Sequence, residues 1–488
     1  MAPNGARIES PAVESGDRST FRQKPTMRGL IFFLIFLSSL PLIFVSPFNG
    51  VLIWYAFSLG NFHTLIWGPL STLNYAYVIA ILTCTSWLFS RGEKVHLPVT
   101  PLVVMTVIFA VWVTFTSCFA LAPADDVWKK WLIFEKILFM CLVGYALTTT
   151  RERVDQLIWV VVLSIGFWGA KGAILGSLHG FGTIHGPDGG MLADNNDLGL
   201  GLIMVLPLIF YHWHLATNRH VRRGLMIFGF LVTVGVLLTY SRGALLGVCA
   251  MGAVFWLRSR AKFATALLIA IIAVSVFTFA PREWIQRMES IQNYQDDGSA
   301  MGRINMWKVA MRIAELHPLT GGGFRVTFWP VVTNDMLRGT DLPRLTKPRA
   351  EHSIYFDVLS DHGWFGVILF VIIGAYSFSN CLWLVRQSRN RPDLAWANLL
   401  GRMGQAVLVG YASAGAFLSQ AYLDEYWCII YIFDAARRLV AKEIAASGVT
   451  TVPWVRPLVH QKAMSRGMLA RSGERLGPQQ GTEPGPAR

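Results

Sequence analysis

Apolar residues run along this chain in stretches near twenty residues long, separated by short polar segments rich in Arg and Lys. A helix needs about 20 apolar residues to cross the hydrocarbon core of a bilayer, so the pattern is counted in membrane crossings, not in globular domains. It predicts spans over about 70–90, 98–120, 131–149, 154–177, 197–214, 224–239, 241–258, 262–280, 354–385, 401–418 and 423–440. Ahead of these, residues 29–60 hold two shorter apolar pieces broken by Pro41 and Pro47, either one broken crossing or a hairpin.

Loop charge chooses between these. The segments around Arg91 and Lys94, Arg151 and Arg153, Arg222 and Arg223, Arg258 and Arg260, and Arg386 and Arg389 read as cytoplasmic by the positive-inside rule. A net single crossing within 29–60 puts them all on one side together with both tails. The expectation is an all-α, polytopic membrane protein of about 12 transmembrane helices, with a large outer loop before the tenth crossing. The chain then divides into a basic cytoplasmic tail (1–28), a first bundle (29–280), the outer loop (281–352), a second bundle (353–440) and a cytoplasmic tail (441–488). That last tail is rich in Gly, Pro, Arg and Ser and is expected to be disordered. Within the outer loop, Ile304, Trp307 and Met311 recur at helical spacing over 303–316, and a Gly321–Gly322–Gly323 turn follows.

Composition supports the membrane reading: 53% of residues are hydrophobic and 15% charged, against about 25% charged in soluble domains. The net charge of +14 is scattered in short clusters between apolar runs, where it sets topology, so no nucleic-acid partner is expected. All six cysteines fall in apolar stretches without a CxxC pair, which reads as buried thiols without a disulfide or zinc role.

A few residues carry candidate chemistry. Arg242 sits between two apolar runs so close together that its guanidinium lies at the outer membrane surface, a functional position or a snorkelling helix cap. Arg303 opens the loop helix and, alone, reads as a solvated charge. His352 stands where the outer loop enters the span near 354; a histidine there either takes a proton from a hydroxyl, worth roughly 10² to 10⁴ in rate, or starts a helix with a local hydrogen bond. Arg325 follows the glycine turn, and guanidinium groups on one face bind phosphate through charge-assisted forks. Arg344, Lys347 and Arg349 read as attraction to anionic lipid. Asp194–Asn195–Asn196–Asp197 either lines a polar entrance or caps the next helix. The sequence has no HExxH, P-loop or GxGxxG before a helix, and Asp296–Asp297 lacks a third ligand, so neither metal nor cofactor is expected.

The order of these parts, Ser-Arg-Gly-Ala-Leu-Leu-Gly from Ser241, Gly302-Arg303 with Trp307, His317-Pro318-Leu319 before Gly321-Gly322-Gly323-Phe324, Glu351-His352-Ser353, and Gly363-Trp364-Phe365-Gly366, resembles the O-antigen ligase and polymerase superfamily of bacterial envelope glycosyltransferases. The segment Ala193–Leu198 and the N-terminal pieces look more narrowly like its O-glycosylation ligase branch associated with exosortase A systems. The resemblance runs over roughly 28–440. It implies an inner-membrane enzyme whose site faces the periplasm, as does the 281–352 loop. Its partners would be membrane lipids, a glycan donor on polyprenyl (undecaprenyl) diphosphate, and a glycan or protein acceptor. It implies further that Arg242 and Arg303 bind the diphosphate and that His352 assists the acceptor hydroxyl. Many members have Asn where this chain has Ser353, which bears on that neighbour and not on the histidine.

Three functions compete on these residues. A ligase moves a finished glycan to a different acceptor, a polymerase moves it to another lipid-linked repeat, and a transporter breaks no bond. The narrower resemblance favours the ligase. A transporter is expected to hold charges deep in several spans, and Lys171 is the main internal charge here.

Overall fold

The computed structural model describes residues 26–66, 68–90, 97–180, 182–259, 261–279 and 298–447. The tail 1–25, the basic segments 91–96 and around Arg260, the loop segment 281–297 with Asp296 and Asp297, and the tail from 448 lie outside the described residues. Met1–Ala441 is one compact unit and Lys442–Arg488 a second, of which 442–447 are described as the end of a helix and a turn.

The described residues are helical, with no strand among them. In chain order the helices are α1 (Met27–Val45), α2 (Pro47–Gly60), α3 (Tyr75–Phe89), α4 (Pro101–Cys118), α5 (Ala124–Leu147), α6 (Arg151–Leu178), α7 (Asn195–Leu215), α8 (Arg219–Leu238), α9 (Arg242–Arg258), α10 (Lys262–Phe279), α11 (Gly298–Leu316), α12 (Pro330–Met336), α13 (Ile354–Gln387), α14 (Ala395–Gly415) and α15 (Asp424–Ala446). Their starts follow from local chemistry: the side chains of Thr26, Ser46, Thr100, Thr150, Asp194, Asn218 and Ser241 each accept a backbone N–H from the first turn of the helix they open. Pro47 and Pro101 occupy first-turn positions, where a missing N–H costs nothing.

The crossing count is corrected by the structure. Among the described residues six helices, not about 12, are long and apolar enough to cross a membrane: α1, α4, α6, α7, α8 and α13. The physical reasons differ from helix to helix. α3 and α9 have 15 and 17 residues, about 23–26 Å at 1.5 Å per residue and short of a core about 30 Å thick. α5 carries Asp125, Asp126, Lys129, Lys130, Glu135 and Lys136, and α15 carries Asp424, Glu425, Asp434, Arg437 and Arg438. Inside 29–60 the break falls at Ser46–Pro47, and α2 is a 14-residue helix packed on α1, α3 and α6. The position of the outer loop before a tenth crossing lapses with the count.

α14 is the packing centre of the bundle and lies against α7, α9 and α13. Small residues let it approach closely: a Cβ on Gly401 would sit 2.7 Å from the Cys381 carbonyl of α13, and one on Gly404 2.6 Å from Cys381 Sγ. The loop between α10 and α13 builds its own small core from Met306, Val309, Ile313, Val326 and Leu337. The buried stripe of α11 is therefore 306–309–313, while Trp307 is half-buried on a neighbouring stripe that faces α13.

α13 is one helix by hydrogen bonding and two by backbone direction. Gly363 breaks it, with φ 69° and ψ −170°. The break frees carbonyls that the glycine turn of the α10–α13 loop fills: Gly322 N–H donates to Ser360 O at 2.8 Å, Gly323 N–H to Asp361 O at 3.0 Å, and Trp364 N–H returns to Pro318 O at 2.9 Å. The loop is thereby locked onto the bundle just beyond His352.

Candidate active site

Four segments far apart in sequence converge around His352. Its backbone N–H donates to Ser419 Oγ at 2.8 Å, in the turn after α14. From the same turn, Phe417 places its ring 5.9 Å from that of Trp307, which itself stacks on Phe356 at 5.4 Å and 11°. Trp307 lies one helical turn after Arg303 on α11, and a Cβ on Gly302 would sit 3.1 Å from Arg349 Nη1. The start of α7 joins through Gln420, whose side-chain amide donates to Met191 O at 2.9 Å, and through Asp194, whose charge acts on His352.

Arg242 opens α9 and is half-buried. Its neighbour Gly243 packs against Ala414 and Phe417, so the Phe417 ring is the common element between the α9 start and Trp307. Asn195 donates to the Thr239 carbonyl at 2.7 Å, which ties the tip 239–242 to the start of α7. Asp194 accepts from Asn196 N–H at 2.8 Å, the cap chemistry that its sequence offers.

His352 is exposed, and the protein around it still removes part of its hydration. That loss lowers its pKa below the ordinary 6.5, the Arg303 and Arg349 guanidinium groups lower it further, and Asp194 opposes them. At neutral pH the imidazole is uncharged and able to accept a proton. Its backbone lies in the left-handed region at φ 52°, a position that non-glycine residues occupy only when surrounding contacts hold them there.

The preceding residue points the other way. Glu351 is 2% exposed, and its Oε1 accepts from Thr327 Oγ1 at 2.9 Å and Ser360 Oγ at 2.8 Å. It is also hydrogen-bonded to Asp357, and burial raises its pKa. Beneath it, Tyr422 donates to Asp361 at 3.0 Å, and Lys130 lies in the field of Asp357 and Asp361. This buried polar layer supports the backbone that presents His352.

The structure therefore brings Arg303 and His352 together and sets Arg242 at the same end of the bundle. Arg325 goes elsewhere. It stands at φ 64° after the glycine turn, its N–H bonded to Asp361, its guanidinium 4.5 Å from the Phe328 ring and its charge acting on Lys130. Sequence reasoning gave no role to Glu351, Ser419 or Trp307 in the site and read Arg349 as a lipid contact. Glu351 and Arg349 were visible only as neighbours of His352 in the sequence, and Ser419 carried no signal at all.

A neutral histidine beside two guanidinium groups is suited to a reaction in which a hydroxyl loses a proton while negative charge gathers on a phosphate. Residues 225–371, which contain Arg242, Arg303, Arg325 and His352, match the family described as O-antigen ligase. Residues 27–217 match a family of unknown function, DUF5935. No curated protein matches the chain. The segment 225–371 is thus similar to the O-antigen ligase family, and with the polytopic all-α architecture this supports a membrane enzyme of the ligase and polymerase type in general.

Proposed function

We propose that this chain transfers a glycan from a polyprenyl diphosphate carrier to an acceptor hydroxyl at the periplasmic face of the bacterial inner membrane, as a ligase of the O-glycosylation branch. The observation that carries the reading is the pairing of His352, neutral by lost hydration and by the neighbouring guanidinium groups, with Arg303. The acceptor oxygen forms a bond to the anomeric carbon as the bond to the diphosphate breaks. The acceptor proton passes to His352 and then to water, and the electron pair of the broken bond leaves with the lipid diphosphate. Arg242 and Arg303 stabilise that departing charge, the kind of fixed electrostatic support worth about 10² to 10³ in rate per donor. Attack from the opposite side in one displacement inverts the anomeric centre. Arg325 is left out of this machinery because its guanidinium stacks on Phe328.

The test is reconstitution of the full chain in liposomes with a lipid-linked glycan donor, with and without an added acceptor, and sizing of the products on a gel. A single acceptor-dependent shift is expected. A ladder of repeats formed without acceptor would replace the ligase with a polymerase, and donor moved across the bilayer uncleaved would replace both with a transporter.

A further inference from the structure

Lys171 is an internal charge that the proposed reaction does not use. It lies on α6, one of the helices able to span the membrane, roughly 10 Å before the end of that helix at Leu178 by the 1.5 Å rise. Side chains on a helix lean toward its N-terminus, and Lys171 does so: its Nζ lies 4.5 Å from the Trp168 ring centroid, three residues back. The ammonium is therefore directed away from the nearer helix end, the reverse of a snorkelling lysine. An ionisable group held at that depth calls for a partner.

The space around it has the character of a ligand site. A cavity of about 300 Å³ is lined by Lys171, His179, His185, Thr183, Trp168 and Leu175. Glycines build it: a Cβ on Gly172 would sit 2.6 Å from Ile184, so only a bare α6 surface lets the 182–185 segment lie against the helix. Ile184 N–H donates to Leu238 O at 3.0 Å, which fixes that segment to the end of α8. Leu175 and Leu178 are exposed on the same helix end, so an apolar surface continues from the cavity, in whose largely apolar wall Lys171, His185 and Thr183 are the polar points. The volume lies at the small end of ligand sites, enough for a headgroup but not for an oligosaccharide.

We propose that this cavity holds the phosphate headgroup of an anionic lipid, with Lys171, His185 and Thr183 supplying the donors and the exposed α6 leucines taking the start of the acyl or prenyl chain. The inference stands apart from glycan transfer and uses none of Arg242, Arg303 or His352. The phosphate has two possible sources, a bilayer phospholipid and the polyprenyl carrier, and both present the same chemistry to Lys171.

Native mass spectrometry of the full chain in mild detergent tests it, with phosphatidylglycerol, undecaprenyl diphosphate, diacylglycerol of matched tails and inorganic phosphate as separate probes. In an Arg242→Ala, Arg303→Ala background, which removes the diphosphate contacts of the proposed active site, one phosphate-bearing lipid is expected to be retained, and which of the two lipids is held identifies the source. Lys171→Met should weaken retention at least about tenfold, as expected for loss of a charge-assisted bond, and Lys171→Arg should keep it within about threefold. His185→Gln and Thr183→Val, outside the helix, repeat the test if Lys171→Met does not elute as a folded monodisperse protein. Retention unchanged in folded Lys171→Met, diacylglycerol held as well as phosphatidylglycerol, or inorganic phosphate held as tightly as either lipid would each overturn the proposal.

Discussion

The backbone N–H of His352 donates to Ser419 Oγ at 2.8 Å, while His352 itself stands at φ 52°. A contact between the end of the α10–α13 loop and the turn after α14 thus holds the candidate base in a conformation the chain does not adopt freely. Ser419→Ala removes the acceptor and lets the imidazole drift. Displacements of about 1 Å cost around 10²-fold in rate, so kcat should fall between about 10-fold and 10²-fold with the donor KM nearly unchanged, and Ser419→Thr should restore most of it. Unaltered kcat in the alanine variant would remove Ser419 from the account.

Acidity gives a second test. The pKa of His352 is lowered by lost hydration and by Arg303 and Arg349, so the neutral form persists to lower pH than in a free histidine, and the base is lost only as pH falls through the lowered value. The acid limb of kcat/KM should have its midpoint below 6.5, and Arg303→Gln should move that midpoint upward. A midpoint above 6.5, unmoved by the substitution, contradicts the assignment.

Glu351 separates support from charge. Its Oε1 accepts from two hydroxyls, and burial raises its pKa, so the layer needs its shape and hydrogen bonds more than a negative charge. Glu351→Gln preserves an acceptor oxygen toward Thr327 and Ser360 and adds a donor toward Asp357. It should retain folding and most activity, whereas Glu351→Ala leaves the buried Thr327 hydroxyl unpaired at about 1–3 kcal/mol, Ser360 keeping the Asp357 carbonyl as acceptor. Thermal unfolding in detergent together with transfer rates distinguishes the two, and a glutamine variant as damaged as the alanine would require an ionised carboxylate.

Gly363 is the hinge on which the loop docks. Its φ of 69° with ψ −170° is a region essentially reserved for glycine, and an added Cβ would collide with the Leu319 carbonyl. Gly363→Ala should cost about 2–3 kcal/mol or more and release the glycine turn, seen as faster hydrogen exchange at Gly322 and Gly323. Protection at those amides equal to the wild type would show that the break in α13 does not hold the loop.

How much of this the sequence carried is best judged element by element. The helix starts at Asn195 and Arg242 follow from Asp194 and Ser241 as caps, a local signal that survives in the fold. The loop helix was legible from its periodicity: the stripe with Trp307 lies on α13 through Phe356, while 306–309–313 packs into the loop's own core. The break at Gly363 stands where the polar run Asp357–His362 gives way to the apolar run from Trp364, but a glycine at such a boundary does not by itself say that the backbone changes direction there. The crossing number fails for another reason: α5 and α15 are helical and partly apolar but carry several charges each, of which Asp434 is held by Tyr145 and Asn380, partners that the local sequence does not name. The buried layer under Glu351 joins residues 327, 357 and 360, a pairing made only by the fold. Arg325 is the converse case: its position after the glycine turn was legible, but its contact with the Phe328 ring was not.

The central claim is that Arg303 and His352 act together on a lipid diphosphate. It is tested most directly by the release of free polyprenyl diphosphate from a lipid-linked glycan donor by the purified protein in liposomes. The wild type should release it in step with acceptor glycosylation, and Arg303→Ala and His352→Ala should each slow release by about 10²-fold or more. Release at the wild-type rate in both folded variants, or intact donor recovered from the far leaflet with no diphosphate freed, contradicts it.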